Sequence, residues 1–176
     1  MSILKIAHMG HPVLRQQARP LDPATVANPA GQKLIDDMVD TMHEYRGVGL
    51  AAPQVHEGLR LFVGLLADDP DEAAEVTVVI NPEIQPVGDE REEDWEGCLS
   101  SPDIRGRVPR YTRVTMRAMD RTGQDVELTL KDCPARVAQH ETDHLDGVLF
   151  FDRMSSFASL TYMEEYSRFW SKGEDE

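Results

Sequence analysis

Two histidines four residues apart, in His140-Glu141-Thr142-Asp143-His144, constrain this chain more than any other feature. For both imidazoles to converge on one ion they must sit one turn apart on one helix face, so this stretch has to be helical. The spacing then forms a grip for a divalent ion with a carboxylate beside the first ligand. Ligand histidines are neutral, and Glu141, left unligated, can take a proton from water that the ion activates. A polar helix face is the plain alternative. A third ligand decides between them.

Two carboxylates and one thiol compete for that role. Glu164 and Glu165 lie about twenty residues downstream, where a thermolysin-like metallopeptidase would place a ligand glutamate. The thiol is Cys98, in Glu96-Gly97-Cys98-Leu99-Ser100. The chain has only 2 cysteines, and Cys133 reads as buried filler. Cys98 follows Gly97 in a polar, turn-prone run over residues 88–101, an odd place for an inert core thiol.

A third segment, Gly47-Val48-Gly49-Leu50-Ala51-Ala52-Pro53-Gln54, combines residues that permit close backbone approach or fix a turn, and it ends in a neutral amide. It reads as a tight loop after a helix, or as a substrate-binding wall carrying a polarising amide donor.

Around these blocks, Asn28-Pro29 is an N-cap and first-turn proline, and the apolar spacing that follows predicts a helix over residues 29–45. Residues 59–66 and 76–80 are short apolar runs of strand length, and the charged insert 67–75 between them reads as a solvated loop. The acidic run 90–96 reads as exposed surface. Alternation over 112–119 and 126–130 predicts a hairpin, after which Asp132 can cap, Pro134 suits a first turn, and 135–145 is helical until Asp146-Gly147. A last helix is expected over 156–170. The pattern is that of an α+β fold, with antiparallel and mixed β-sheets wrapped around a central metal-binding helix and a C-terminal helix.

At 176 residues the chain is one catalytic domain by length, with residues 171–176 a flexible acidic tail. A net charge of -14 argues against DNA, whose phosphates would be repelled. No apolar run is long enough to cross a bilayer, and residues 1–6 lack the apolar stretch of a signal peptide, so a cytoplasmic protein with no membrane partner is expected.

Taken together, the three blocks resemble peptide deformylase, a family known by G-x-G-x-A-A-x-Q, E-G-C-L-S and Q-H-E-x-D-H segments in this order. The resemblance runs from Ile6-Ala7-His8-Met9-Gly10 to Asp146-Gly147-Val148-Leu149-Phe150. It implies Cys98, His140 and His144 as metal ligands, Glu141 as acid/base, and Gln54 with the Leu99 backbone amide as oxyanion donors. It implies one divalent ion per chain, ferrous iron in the cell; the donor set also accepts zinc, nickel or cobalt. The implied partners are formyl-methionyl peptides and nascent chains. Some relatives dock on ribosomes through a basic C-terminal helix, but this acidic terminus predicts weak ribosome association. Val48, Gly49, Leu50, Glu96, Gly97, Leu99, Arg105 and Val137 are expected along the substrate, and Phe169 and Trp170 are expected to pack on the core. His8, His11, His43 and His56 lack ligand spacing and are expected in surface or structural roles. Trp95 and Ser101 both depart from the family's usual residue types.

Overall fold

The computed structural model describes residues 2–67 and 75–171. Its first helices start where side chains satisfy free backbone N–H groups. Asp22 Oδ1 accepts from Thr25 N at 2.8 Å to open α1 (Pro23–Ala27), and Asn28 Oδ1 accepts from Gly31 N at 2.8 Å to open α2 (Pro29–Glu44). Strands β1 (Gly49–Ala51), β2 (Leu61–Leu65), β3 (Val76–Pro86), β4 (Arg91–Cys98), β5 (Ser101–Tyr111), β6 (Arg113–Met119) and β7 (Asp125–Lys131) follow. Helix α3 (Asp132–Leu145) carries the histidines, and α4 (Phe150–Arg153), the two-residue β8 (Thr161–Tyr162) and α5 (Met163–Phe169) complete the chain.

Five strands form one sheet in the order β1-β2-β3-β6-β7, and three form another in the order β4-β5-β8. The pleat of β2 shows how the layers stack. Leu61 and Val63 join the core that α2 covers with Ile35, Met38 and Met42. Phe62, one residue over and so on the opposite face, joins Ala135, Ala138 and Leu145 of α3. Helix α3 therefore has the large sheet on one side, and the side that carries His140 is turned toward β4 and β5. Within the described residues every ladder is antiparallel, and the only parallel pairing is the isolated bridge Arg19–Leu59.

Several local expectations need correction. The polar run 88–101 is strand rather than loop for most of its length: β4 pairs with β5 from Arg91–Tyr111 to Gly97–Arg105, with Glu92, Glu93 and Asp94 exposed and Glu96 turned inward. Asp132 does not cap α3; Lys131 is the N-cap, and no side chain accepts there. The continuous helix expected over 156–170 is broken, because Thr161 and Tyr162 pair with Arg105 and Ile104 and leave only α5 helical. Phe169 and Trp170 are 63% and 59% exposed instead of packed in the core. The charged insert and the acidic tail fall largely outside the described residues.

A candidate metal centre in a cleft between two sheets

Helix α3 ends sharply, which fixes the height of His144 in the fold. Gly147, at φ +73°, donates to His144 O at 3.3 Å, and Val148 donates to Asp143 O at 2.9 Å, a Schellman closure that needs the left-handed residue glycine tolerates. The amino-terminal strap pins the other two blocks. Ala7 N–H donates to Gln54 O and Met9 N–H to Ser100 O, each at 2.7 Å.

These constraints bring Cys98, His140 and His144 together, with one potential ligand atom from each lying within 4.8 Å of the others. Cys98 Sγ is 3.2 Å from His144 Nε2. His140 donates through Nδ1 to Glu96 Oε2 at 2.9 Å, which leaves Nε2 as the nitrogen that could meet an ion. Burial opposes ionisation of the Cys98 thiol, but the imidazoles of His144 and His140 outweigh it and hold its pKa well below the ordinary 9.0. The thiolate is the form a metal requires. Two imidazoles and a thiolate with tetrahedral freedom suit a soft or borderline divalent ion, so these residues fit one.

Glu141 sits beside this cluster without joining it. It is buried, and its Oε2 has no hydrogen-bond partner among the described residues. Burial pushes its pKa up to about 7. Space for the carboxylate exists because residue 49 is glycine: a β-carbon there would stand 2.4 Å from Glu141 Oε1. Gln54 is aimed by its own oxygen. Oε1 accepts from Ala51 N at 2.8 Å, so the amide nitrogen faces the site, 3.4 Å from Cys98 Sγ and 3.3 Å from Ser100 Oγ.

Behind the ligands lies a buried ionic network that the sequence reading did not resolve. Arg110 forks onto Glu96 through Nε at 2.9 Å and Nη2 at 3.0 Å, and reaches Asp143 through Nη1 at 2.6 Å. Arg136 adds a bond to Glu96 Oε1 at 2.9 Å, and Arg153 holds the far side of Asp143 at 2.7 Å. Arg105, expected along the substrate, lies over Gly97, with Nη1 where a β-carbon would be. Arg110 could have been found only from register, since it shares its inward face with Val108 two residues earlier on β5.

The cleft measures about 690 Å³. Val48, Gly49, Gly97, Leu99, Arg105 and Val137 line it, and so does His8. Leu50 does not; its side chain is fully buried in the α2 core because β1 alternates faces. Glu96 touches the rim, but its carboxylate is committed to His140 and the two arginines. His11 and His56 pack edge to face at 4.7 Å, away from the ligands. Glu164 and Glu165 lie on α5 and take no part in the ligand cluster.

An α+β fold that presents a Cys/His/His cluster, an uncommitted carboxylate and an aimed amide in one cleft defines a metallohydrolase. Residues 3–159 match the family model described as polypeptide deformylase. A peptide deformylase of Salinibacter ruber is 46% identical over 163 residues, covering 88% of this chain and 82% of its own. The crystal structure of the Thermotoga maritima peptide deformylase superposes with a TM-score of 0.81 at 40% identity, covering 89% of this chain and all of that one. A Met-Ala-Ser-bound class I type b peptide deformylase from Acinetobacter baumannii gives 0.81 at 36% identity, covering 88% and 100%. The chain belongs to the polypeptide deformylase family.

Proposed function

We propose that the chain hydrolyses the formyl group from the amino terminus of formyl-methionyl peptides, releasing formate and a free amino-terminal methionine. The observation that carries this reading is the convergence of Cys98, His140 and His144 beside an uncommitted Glu141. Those three residues would hold one divalent ion, ferrous iron in the cell, with zinc, nickel or cobalt compatible with the same donors. When bound, the ion supplies an activated water and an electropositive anchor for the formyl oxygen.

The chain's own groups do the rest. Glu141, poised near neutrality by burial, accepts a proton from the attacking water and returns it to the departing amine. The Gln54 amide nitrogen and the Leu99 N–H donate to the oxyanion that forms at the formyl carbon. Glu96 fixes the His140 tautomer, and Arg110 and Arg136 fix Glu96. Strands β1 and β4 are the last strands of their sheets on the cleft side, so an extended peptide can lie between the Gly49 and Gly97 edges as an added strand. The methionine side chain then points toward Val48, Leu99 and Val137.

Formate release from a formyl-methionyl peptide, measured with metal content on anaerobically purified protein, tests the assignment together with Cys98→Ser. Loss of metal and turnover in that variant, with both retained in Glu164→Gln and Glu165→Gln, is expected. A full equivalent of tightly bound metal in Cys98→Ser would overturn the ligand set. The setting that fits is the cytoplasm, with weak ribosome association at this charge of -14. Salt-sensitive co-sedimentation with ribosomes that is tight, and lost on truncation at Phe157, would contradict the latter.

A further inference from the structure

Of the charged side chains behind the ligands, one reaches solvent. Glu96, Arg110 and Asp143 are buried and Arg136 is largely covered, whereas the Arg153 side chain is 51% exposed. Its grip on Asp143 is nonetheless a fork: Nη2 donates to Oδ1 at 2.7 Å, and Nε stands 3.2 Å from Oδ2 and 3.3 Å from Oδ1. Asp143 passes that hold inward. Its Oδ2 accepts from Arg110 Nη1, the same guanidinium forks onto Glu96, and Glu96 accepts from His140 Nδ1. The backbone behind Arg153 is braced as well. Arg153 closes α4, whose Phe150 is buried, and Asp152 beside it accepts from Leu149 N at 2.8 Å and pairs with Arg15 of the turn Pro12–Arg15.

We propose that Arg153 is a positioning residue for the metal centre, holding the His140 ring in place through Asp143, Arg110 and Glu96. The inference rests on the metal-binding reading of the Cys98, His140 and His144 cluster and deepens it. A guanidinium is planar and rigid, so its donors turn together. Arg110 must give two of them to Glu96 and one to Asp143, and its orientation therefore follows wherever Asp143 sits. Arg153 pulls Asp143 from the opposite side and keeps Arg110 square to Glu96. Without Arg153, Arg110 is the only charged partner left to Asp143 among the described residues, and a buried carboxylate draws such a partner toward itself. Glu96 then loses alignment, and the imidazole that it orients loses it too. Exposed ion pairs add little to folding stability, so the effect falls on the metal rather than on the fold.

The test is a titration of metal-free protein with cobalt(II), followed by the absorption of the thiolate on the ion, which needs no turnover. Its sign is decisive. Arg153 is a cation, so by charge alone its removal would tighten the binding of another cation. Positioning predicts the reverse: Arg153→Met should weaken cobalt binding about tenfold, the low end for groups that orient a ligand histidine, with the urea midpoint close to wild type. Arg117→Met cuts an exposed pair with Glu127 on the large sheet and should leave cobalt binding unchanged. Arg153→Lys keeps the charge without the fork and should fall between wild type and Arg153→Met. An unchanged or tighter constant in Arg153→Met, or an equal loss in Arg117→Met, would overturn the proposal. If Arg153→Met fails to fold, the lysine variant decides, and wild-type affinity there would overturn it. Failure of the wild-type protein to bind cobalt would remove the metal centre and this proposal with it. Formate release is scored separately: its absence from cobalt-loaded wild type would sink the deformylase reading and leave the titrations to decide the role of Arg153.

Discussion

Gly49→Ala is a one-carbon change whose consequences can be worked from contact distances. The new β-carbon would stand 2.4 Å from Glu141 Oε1, 2.8 Å from Cδ and 2.9 Å from Cγ, against 3.4 Å for an ordinary contact. The carboxylate must retreat by 3.4 − 2.4 = 1.0 Å, and all of the strain is steric because Gly49 has no left-handed φ. A displacement of that size at a reacting group costs on the order of 10²-fold in turnover. Forcing the methyl into this packed space costs about 1–3 kcal/mol of stability. The cause can be isolated by a double-mutant cycle. With Glu141→Ala the obstructing side chain is gone, so Gly49→Ala in that background should cost less than about 0.5 kcal/mol, giving a coupling of about 0.5–3 kcal/mol. Urea midpoints for the four proteins supply the energies, and formate release supplies the rates. Equal costs in both backgrounds, or a single variant within twofold of wild-type turnover, would refute the reasoning.

Glu141→Ala should keep its metal and lose about 10²–10⁴-fold in turnover, the scale of a missing general acid/base; metal loss on elemental analysis would assign the residue a structural role instead. Arg110→Met leaves Glu96 and Asp143 each short of a buried partner, and should lower stability by about 3–5 kcal/mol in urea unfolding and weaken metal binding about 10–100-fold; an unchanged midpoint would argue against the network. Asp152 is exposed; partial desolvation opposes its ionisation, but Arg15 and the Leu149 N–H hold its pKa below the usual 3.8. The pair thus contributes fully above that value and fades as pH falls through the lower folded one. Arg15→Met should therefore destabilise by under about 1 kcal/mol at pH 7, with the difference fading as pH falls through and below the usual carboxylate range; a gap that persists once the carboxylates are protonated would point to packing.

The parts of the fold that follow local rules were legible. The Asn28-Pro29 start of α2, the β6–β7 hairpin and the Asp146-Gly147 stop each depend on neighbours in sequence, and each stands where expected. Residues 88–101 were not legible, because an edge strand with one solvated face carries as many polar residues as a loop does. The break at Thr161 depends on an open edge of β5 at Arg105, 56 residues away in sequence. At the site, the histidine pair announces itself by spacing, whereas Cys98 is set apart from Glu164 and Glu165 only by the resemblance to the family. The Arg110 hub does not, because a buried guanidinium looks like any surface arginine until the register of β5 is known.

The gap between the two sheets sets a clock. A peptide that must lie extended between β1 and β4 has to offer about three unstructured residues, roughly 10 Å of free chain. A protein whose amino terminus has already folded into its own sheet or core no longer supplies that length. Formyl removal by this geometry is therefore a race against the folding of the substrate. Chains that fold their first residues late stay open to the enzyme, and those that tuck the terminus away early retain the formyl group for as long as their own native state lasts.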